Sequence, residues 1–381
     1  MHRTCTRDDY YYFDDGSCIL EVEDVLFNVH KSRLSMDSSS FGTMFSLPSG
    51  EHPVEGTSDD NPIILSGDTA ADFRHFLWSL YALPSELILA TSDSANLDQL
   101  VAIARISQKY AFRSIENWAL DAIQEYINRK PFPILPSATG KSSSHNPIAE
   151  NSEQLTTLIR LAQLCNHESL LNTSIQSLKN LMFDSIQYAC LAMSLADELG
   201  LRTLRGVAYL QVMQHAVIIR RPCIDVIQQV TANQPSLASG MTFPTTPPVP
   251  ENGPRISLTV EQQLRLLAGY YRLTETWEEL RKTPPHFDHS IACGATWHQH
   301  GCMQSWVEFW KEKTKSDTLL NLGLADVIGR LKQISRTYEK WGSATYMHHD
   351  CRQVAKESIN AMIKRVEDAL PDYFSDADTS K

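Results

Sequence analysis

No excess of positive charge is available to this chain. Its 34 lysines and arginines face 45 aspartates and glutamates, a formal net charge of −11. The broad cationic surface that supplies most nonspecific affinity for nucleic acid is therefore missing. Lys311, Lys313 and Lys315, and Arg220 with Arg221, read as solvated helix faces. Long apolar runs are lacking too. The first thirteen residues, MHRTCTRDDYYYF, hold no apolar stretch of the kind a secretory signal needs, and nothing later approaches the ~20 apolar residues of a membrane span. The expectation is an intracellular protein of cytoplasm or nucleus, with neither nucleic acid nor membrane as partner. In that setting the eight cysteines are free thiols or metal ligands rather than a disulfide framework, and the sequon Asn172-Thr173-Ser174 carries no meaning.

Signatures of catalysis are also missing. No two glycines stand two apart, so no Gly-x-Gly dinucleotide turn exists, and neither His-Glu-x-x-His nor Gly-x-Ser-x-Gly occurs. ATGKSSS, residues 138 to 144, resembles the tail of a phosphate loop, but Leu135 stands where its leading glycine belongs. The chain reads as noncatalytic.

What remains is an ordinary globular composition, 42% hydrophobic and 21% charged over 381 residues, enough for two or three domains. Two stretches rich in Pro, Ser, Gly and Asn, residues 131 to 153 and 235 to 254, break the patterning and read as linkers or long loops. They give a first domain at 12–128, a linker at 129–153, a helical segment at 154–232, a Pro-rich loop at 233–255 and a C-terminal helical domain at 256–374.

The first block opens with β-rich runs, SCILEV and VLFNV, on either side of Glu23-Asp24, which predicts a hairpin; Ile63-Ile64-Leu65 predicts a third strand. Helical spacing follows in Phe73, Phe76, Leu77, Leu80 and Tyr81, with Thr69 and Asp72 placed as a capping pair, and again from Ile115 to Ile127. This is an α+β domain. The rest is all-α, with stripes such as Leu155, Leu158, Ile159 and Ala162, then Leu204, Ala208 and Val212, then Leu264, Leu267 and Tyr271, and finally Ile359, Met362, Ile363 and Val366.

With those elements placed, the first block resembles the BTB (POZ) domain. The resemblance is carried by the hairpin, Phe27-x-x-His30-Lys31-x-x-Leu34, Ser38-x-x-Phe41-x-x-Met44-Phe45, the Ile63 strand, a helix ending Leu80-Tyr81 and a later helix ending Lys109-Tyr110, over residues 12 to 128. The blocks after it, through LADELGLRTLRGVAYL and the tail LPDYF, resemble the helical extension of the BTB proteins found in fungi. The resemblance implies a protein-interaction module that forms homodimers or larger assemblies; joining substrates to a cullin-based ubiquitin ligase is the alternative it leaves. It also implies that His30 joins strand to helix and is largely buried.

Departures from the family pattern matter. Aligning back from Lys31 puts Ser17 where some BTB dimers carry a charged partner, and Val54-Glu55 poorly replaces the hydrophobic-x-Glu of cullin adaptors. Phe41, Met44, Phe45, Phe73, Phe76 and Trp78 read as core, and any that prove exposed would mark a dimer surface.

The third block concentrates cysteine and histidine: HFDHSIACGATWHQHGC at 286 to 302 and MHHDC at 347 to 351. Cys293, Cys302, His348 and Cys351 form a candidate structural zinc set, since the two-residue gap of His348-x-x-Cys351 lets both side chains of one turn reach a metal. His289, His298, His300 and His349 compete as ligands. The other reading is the commoner one for such residues, buried thiols packing as small hydrophobes beside loop histidines, with no cofactor.

Overall fold

Glu23 and Asp24 leave the chain only two residues in which to reverse, and Glu23 takes a left-handed φ of 54° to do so. A computed structural model describes residues 5–47, 54–92, 95–130, 147–215, 258–294, 296–315, 323–341 and 347–375. The chain divides into two compact units, Met1–Leu178 and Lys179–Lys381.

In the first unit the hairpin of β2 (Cys18–Val22) and β3 (Val25–Val29) pairs antiparallel from Cys18 opposite Val29 to Val22 opposite Val25. β4 (Ile63–Leu65) joins β2 in parallel. A strand absent from the sequence reading, β1 (Thr6–Tyr12), adds itself parallel to β3, giving a four-stranded mixed sheet in the order β1-β3-β2-β4. Its sequence, TRDDYYY, has no apolar alternation because polar contacts anchor it. The Asp8 carboxylate accepts from the Tyr10 and Tyr11 backbone N–H groups at 3.0 and 2.9 Å and pairs with Arg74 at 2.5 Å while almost wholly buried. An ion pair there satisfies a charge that burial alone would penalise.

Helices complete the unit: α1 (Lys31–Leu34), α2 (Ser40–Phe45), α3 (Ala70–Tyr81), α4 (Pro84–Ala90), α5 (Leu97–Lys109), α6 (Arg113–Arg129), α7 (Pro147–Leu164) and α8 (Glu168–Asp184), the last running across the division between the units. The expected cap is present: the Asp72 backbone N–H donates to Thr69 Oγ1 at 3.1 Å. The sheet packs on α3 through Leu20, Phe27, Phe73, Phe76 and Leu77, all fully buried. A second cluster joins α5, α6, α7 and the start of α8 through Ile103, Ile123, Leu158 and Leu170. This apolar face explains why the first unit extends beyond residue 128.

His30 is the joint expected between β3 and α1, and the N-cap residue of that helix. Its backbone N–H donates to Tyr81 Oη at 3.1 Å, its Nδ1 lies 3.0 Å from the same oxygen, and its ring leans on Phe13 at 5.3 Å. It is half-buried rather than largely buried, because Nε2 faces exposed Asp15 at 3.4 Å. Ser17 also takes part at this joint: its Oγ accepts the Lys31 backbone N–H at 2.9 Å. Phe41, Phe73 and Phe76 are buried, and Met44, Phe45 and Trp78 pack partly buried against the two clusters. The exposed apolar surface lies elsewhere. α4 has no buried residue, and Leu83, Ile88 and Leu89 are each more than 60% exposed.

The second unit contains α9 (Ile186–Glu198), α10 (Arg202–His215), α11 (Val260–Leu280), α12 (Thr296–Thr314), α13 (Val327–Trp341), α14 (His349–Asp368) and α15 (Leu370–Tyr373). α9, α10 and α11 meet at Asp197, whose Oδ1 lies 3.0 Å from Arg205 and 3.1 Å from Arg265 while Oδ2 accepts from the Tyr209 hydroxyl at 2.7 Å. Gly269 on α11 leaves room for the fully buried ring of Phe374. α11 therefore buries Leu266, Gly269, Leu273 and Trp277, and the stripe Leu264, Leu267 and Tyr271 seen in the sequence is exposed. The stretches 131–146 and 235–254, and Arg220 with Arg221, lie outside the described residues, and α7 begins at Pro147 within the expected linker. Among the described residues no helix is long and apolar enough to cross a membrane.

Candidate metal centre

Four side chains from three separate chain segments converge in the second unit. His289 and Cys293 lie on the loop before α12, Cys302 on α12, and Cys351 in the first turn of α14. Their ligand atoms all lie within 4.8 Å of one another. Cys293 Sγ is 4.0 Å from Cys302 Sγ, and Cys351 Sγ is 3.6 Å from His289 Nδ1. The first separation is about twice the ~2.05 Å of a disulfide bond, and all three cysteines are free thiols. The three sulfurs are buried and His289 is half-buried.

The loop is brought to this position by aromatic N–H donors. Trp310 Nε1 donates to the Leu280 carbonyl at 3.1 Å at the end of α11, and Trp306 Nε1 donates to the Pro285 carbonyl at 2.9 Å. Phe287, buried, meets Trp306 edge-on at 6.2 Å and His289 edge-on at 5.1 Å. From α14, Ser358 donates to the His286 carbonyl at 3.0 Å, while the Ser290 hydroxyl on the loop reaches Asp350 at 3.1 Å. A turn closed by the Cys293 N–H on the Ser290 carbonyl, at 2.8 Å, then sets Cys293 beside His289. Tyr338, buried on α13, stacks edge-on with Trp306 at 5.3 Å. The wall is thus aromatic, and the polar atoms in it are mostly committed to loop carbonyls.

Three of the four ligands expected from the sequence, Cys293, Cys302 and Cys351, are brought together. His348 is not. It is the N-cap residue of α14, and its side chain lies outside the four, with Nδ1 3.9 Å from Asp350. Its backbone takes part instead, since the His348 N–H donates to Cys302 Sγ at 3.3 Å. The reason is geometric. A two-residue gap places two side chains on one metal when both lie in the same turn, but α14 begins at His349, so His348 has nonhelical backbone, φ −53° and ψ 139°, and its side chain falls outside the cluster. His289, four residues before Cys293, takes the fourth place; His298, His300 and His349 are exposed.

Compared with protein-family models, curated proteins and solved structures, the chain matches none. The chemistry must be argued from the residues themselves. Burial, with the two neighbouring thiols, pushes the Cys293 thiol up to about 12. A thiol so placed is neutral and a poor nucleophile, because the thiolate is the reactive form. A soft divalent cation is the partner that would bring all three sulfurs into the charged state at once. With four protein donors converging, the arrangement suits holding an ion rather than presenting one to a substrate, which requires an open position.

Proposed function

We propose that this protein is a noncatalytic interaction scaffold whose first unit contains a BTB-type module, residues 12 to 128, that self-associates. The reading starts from the resemblance carried by Phe27-x-x-His30, Ser38-x-x-Phe41-x-x-Met44-Phe45 and the helices ending at Tyr81 and Tyr110. The observation that carries it to a binding role is α4, a helix with no buried residue that holds Leu83, Ile88 and Leu89 in solvent. Three large aliphatics left exposed within seven helical residues and their cap are costly to hydrate, and contact surfaces draw on such residues. A second copy of the chain is the partner, and further proteins bind the assembly.

Light scattering of the full chain at roughly tens of micromolar tests this reading. A dimeric or larger mass is expected, and the double substitution Ile88→Glu, Leu89→Glu should lower it toward the monomer while shifting stability by no more than about 0.5 kcal/mol, as is usual for exposed positions. A monomeric wild-type chain overturns it. Recovery of a cullin in equimolar amount from a native purification would favour the ligase-adaptor alternative instead.

A further inference from the structure

We propose that His289, Cys293, Cys302 and Cys351 bind one structural zinc ion in the second unit. Zinc bonds sulfur at about 2.3 Å and imidazole nitrogen at about 2.0 Å, so a tetrahedral site spaces its sulfurs ~3.8 Å apart and sulfur from nitrogen ~3.5 Å apart. The corresponding separations are 4.0 Å between Cys293 and Cys302 and 3.6 Å between Cys351 and His289, with no pair beyond 4.8 Å. Closing on an ion asks for shifts of a few tenths of an ångström in the near pairs and about 1 Å in the widest.

Packing as small hydrophobes accounts for buried thiols, but not for an imidazole nitrogen directed at one of them when solvent is open to that ring. Three thiolates and an imidazole are a soft set, which selects zinc over magnesium or calcium. Four donors close the coordination sphere, so the ion is structural. Binding transfers the three thiol protons to solvent. The dication and three thiolates then carry a net charge of −1, which the His348 backbone N–H on Cys302 partly offsets. That N–H belongs to a helix start, where backbone donors otherwise need a cap. The ion fastens the loop before α12 to both α12 and α14 and joins segments up to 62 residues apart in sequence.

Metal analysis of the full chain, purified without chelator, tests the proposal. About one zinc per chain is expected from a closed site of this kind, and less than ~0.2 overturns it. His348→Ala should keep its zinc because its contribution is a backbone N–H, whereas His289→Ala and Cys351→Ser should lose it. Retention by both of those variants, or loss by His348→Ala alone, overturns the ligand assignment. Since the ligand variants could fail to fold, wild-type protein provides a second readout. Titration with a mercurial thiol reagent should release one zinc as three thiols react, and replacement by cobalt should give the visible bands of a tetrahedral thiolate site. Zinc released with no thiols consumed, or an octahedral cobalt spectrum, counts against it.

Discussion

Replacing Gly269 by alanine sets two effects of opposite sign against each other. In the interior of a helix alanine is favoured over glycine by about 1 kcal/mol. At position 269, however, the added methyl would lie 2.2 Å and 2.3 Å from two ring carbons of Phe374. That ring is fully buried and packs on Tyr209 at 5.3 Å, so it has little freedom to retreat. Overpacking of this kind costs about 1–3 kcal/mol and sometimes more, which exceeds the helix gain at most of that range. Gly301 on α12 is the control, since a methyl there meets nothing within 4 Å. For a unit of this size 1 kcal/mol corresponds to about 2–4 °C in Tm. Gly301→Ala should therefore raise the melting temperature of the second unit by ~2–4 °C, and Gly269→Ala should lower it by up to ~8 °C. Scanning calorimetry of the full chain measures both. Equal stabilisation by the two substitutions would refute the docking of the LPDYF tail on α11.

Other expectations follow from the same contacts. His30→Ala removes one hydrogen bond to Tyr81 and part of a half-buried ring, together about 2 kcal/mol, so the first unit should melt ~4–8 °C lower; unchanged melting would show that His30 is not a joint. Burial raises the Cys18 thiol to about 11 from its ordinary 9.0, which leaves about 100-fold less thiolate near neutral pH, and iodoacetamide should modify Cys18 correspondingly more slowly in the native chain than in urea. Because the folded-state value is the higher one, that burial contributes full stability below pH 9 and loses it as the pH rises toward about 11; a first unit whose stability is flat across that window in denaturant titrations would contradict the sign. Trp306→Phe deletes the N–H that holds the Pro285 carbonyl but keeps most of the ring, so the loop before α12 should show faster amide exchange while the helix content stays near wild type.

What the sequence shows and what it hides divide along a physical line. The hairpin, the Thr69 cap and the stripe on α3 are legible because each depends on residues within a few positions of one another. β1 is hidden because it is anchored by Asp8 and Arg74, 66 residues apart, and not by its own alternation. α11 shows two apolar stripes, and local pattern cannot choose between them. The buried one is set by distant partners, Asp197 against Arg265 and Phe374 against Gly269. The candidate metal centre repeats this at the level of single side chains. Cys293, Cys302 and Cys351 stand out by residue type, but the histidine that joins them is decided by where α14 starts and by how Trp306 and Ser358 hold the loop carrying His289. A metal-ligand spacing is therefore informative only once the helix boundary within it is fixed. Extending α14 by one residue at its start would bring His348 into the helical turn of Cys351. The chain instead keeps the His348 N–H on the Cys302 sulfur and takes its imidazole from the loop.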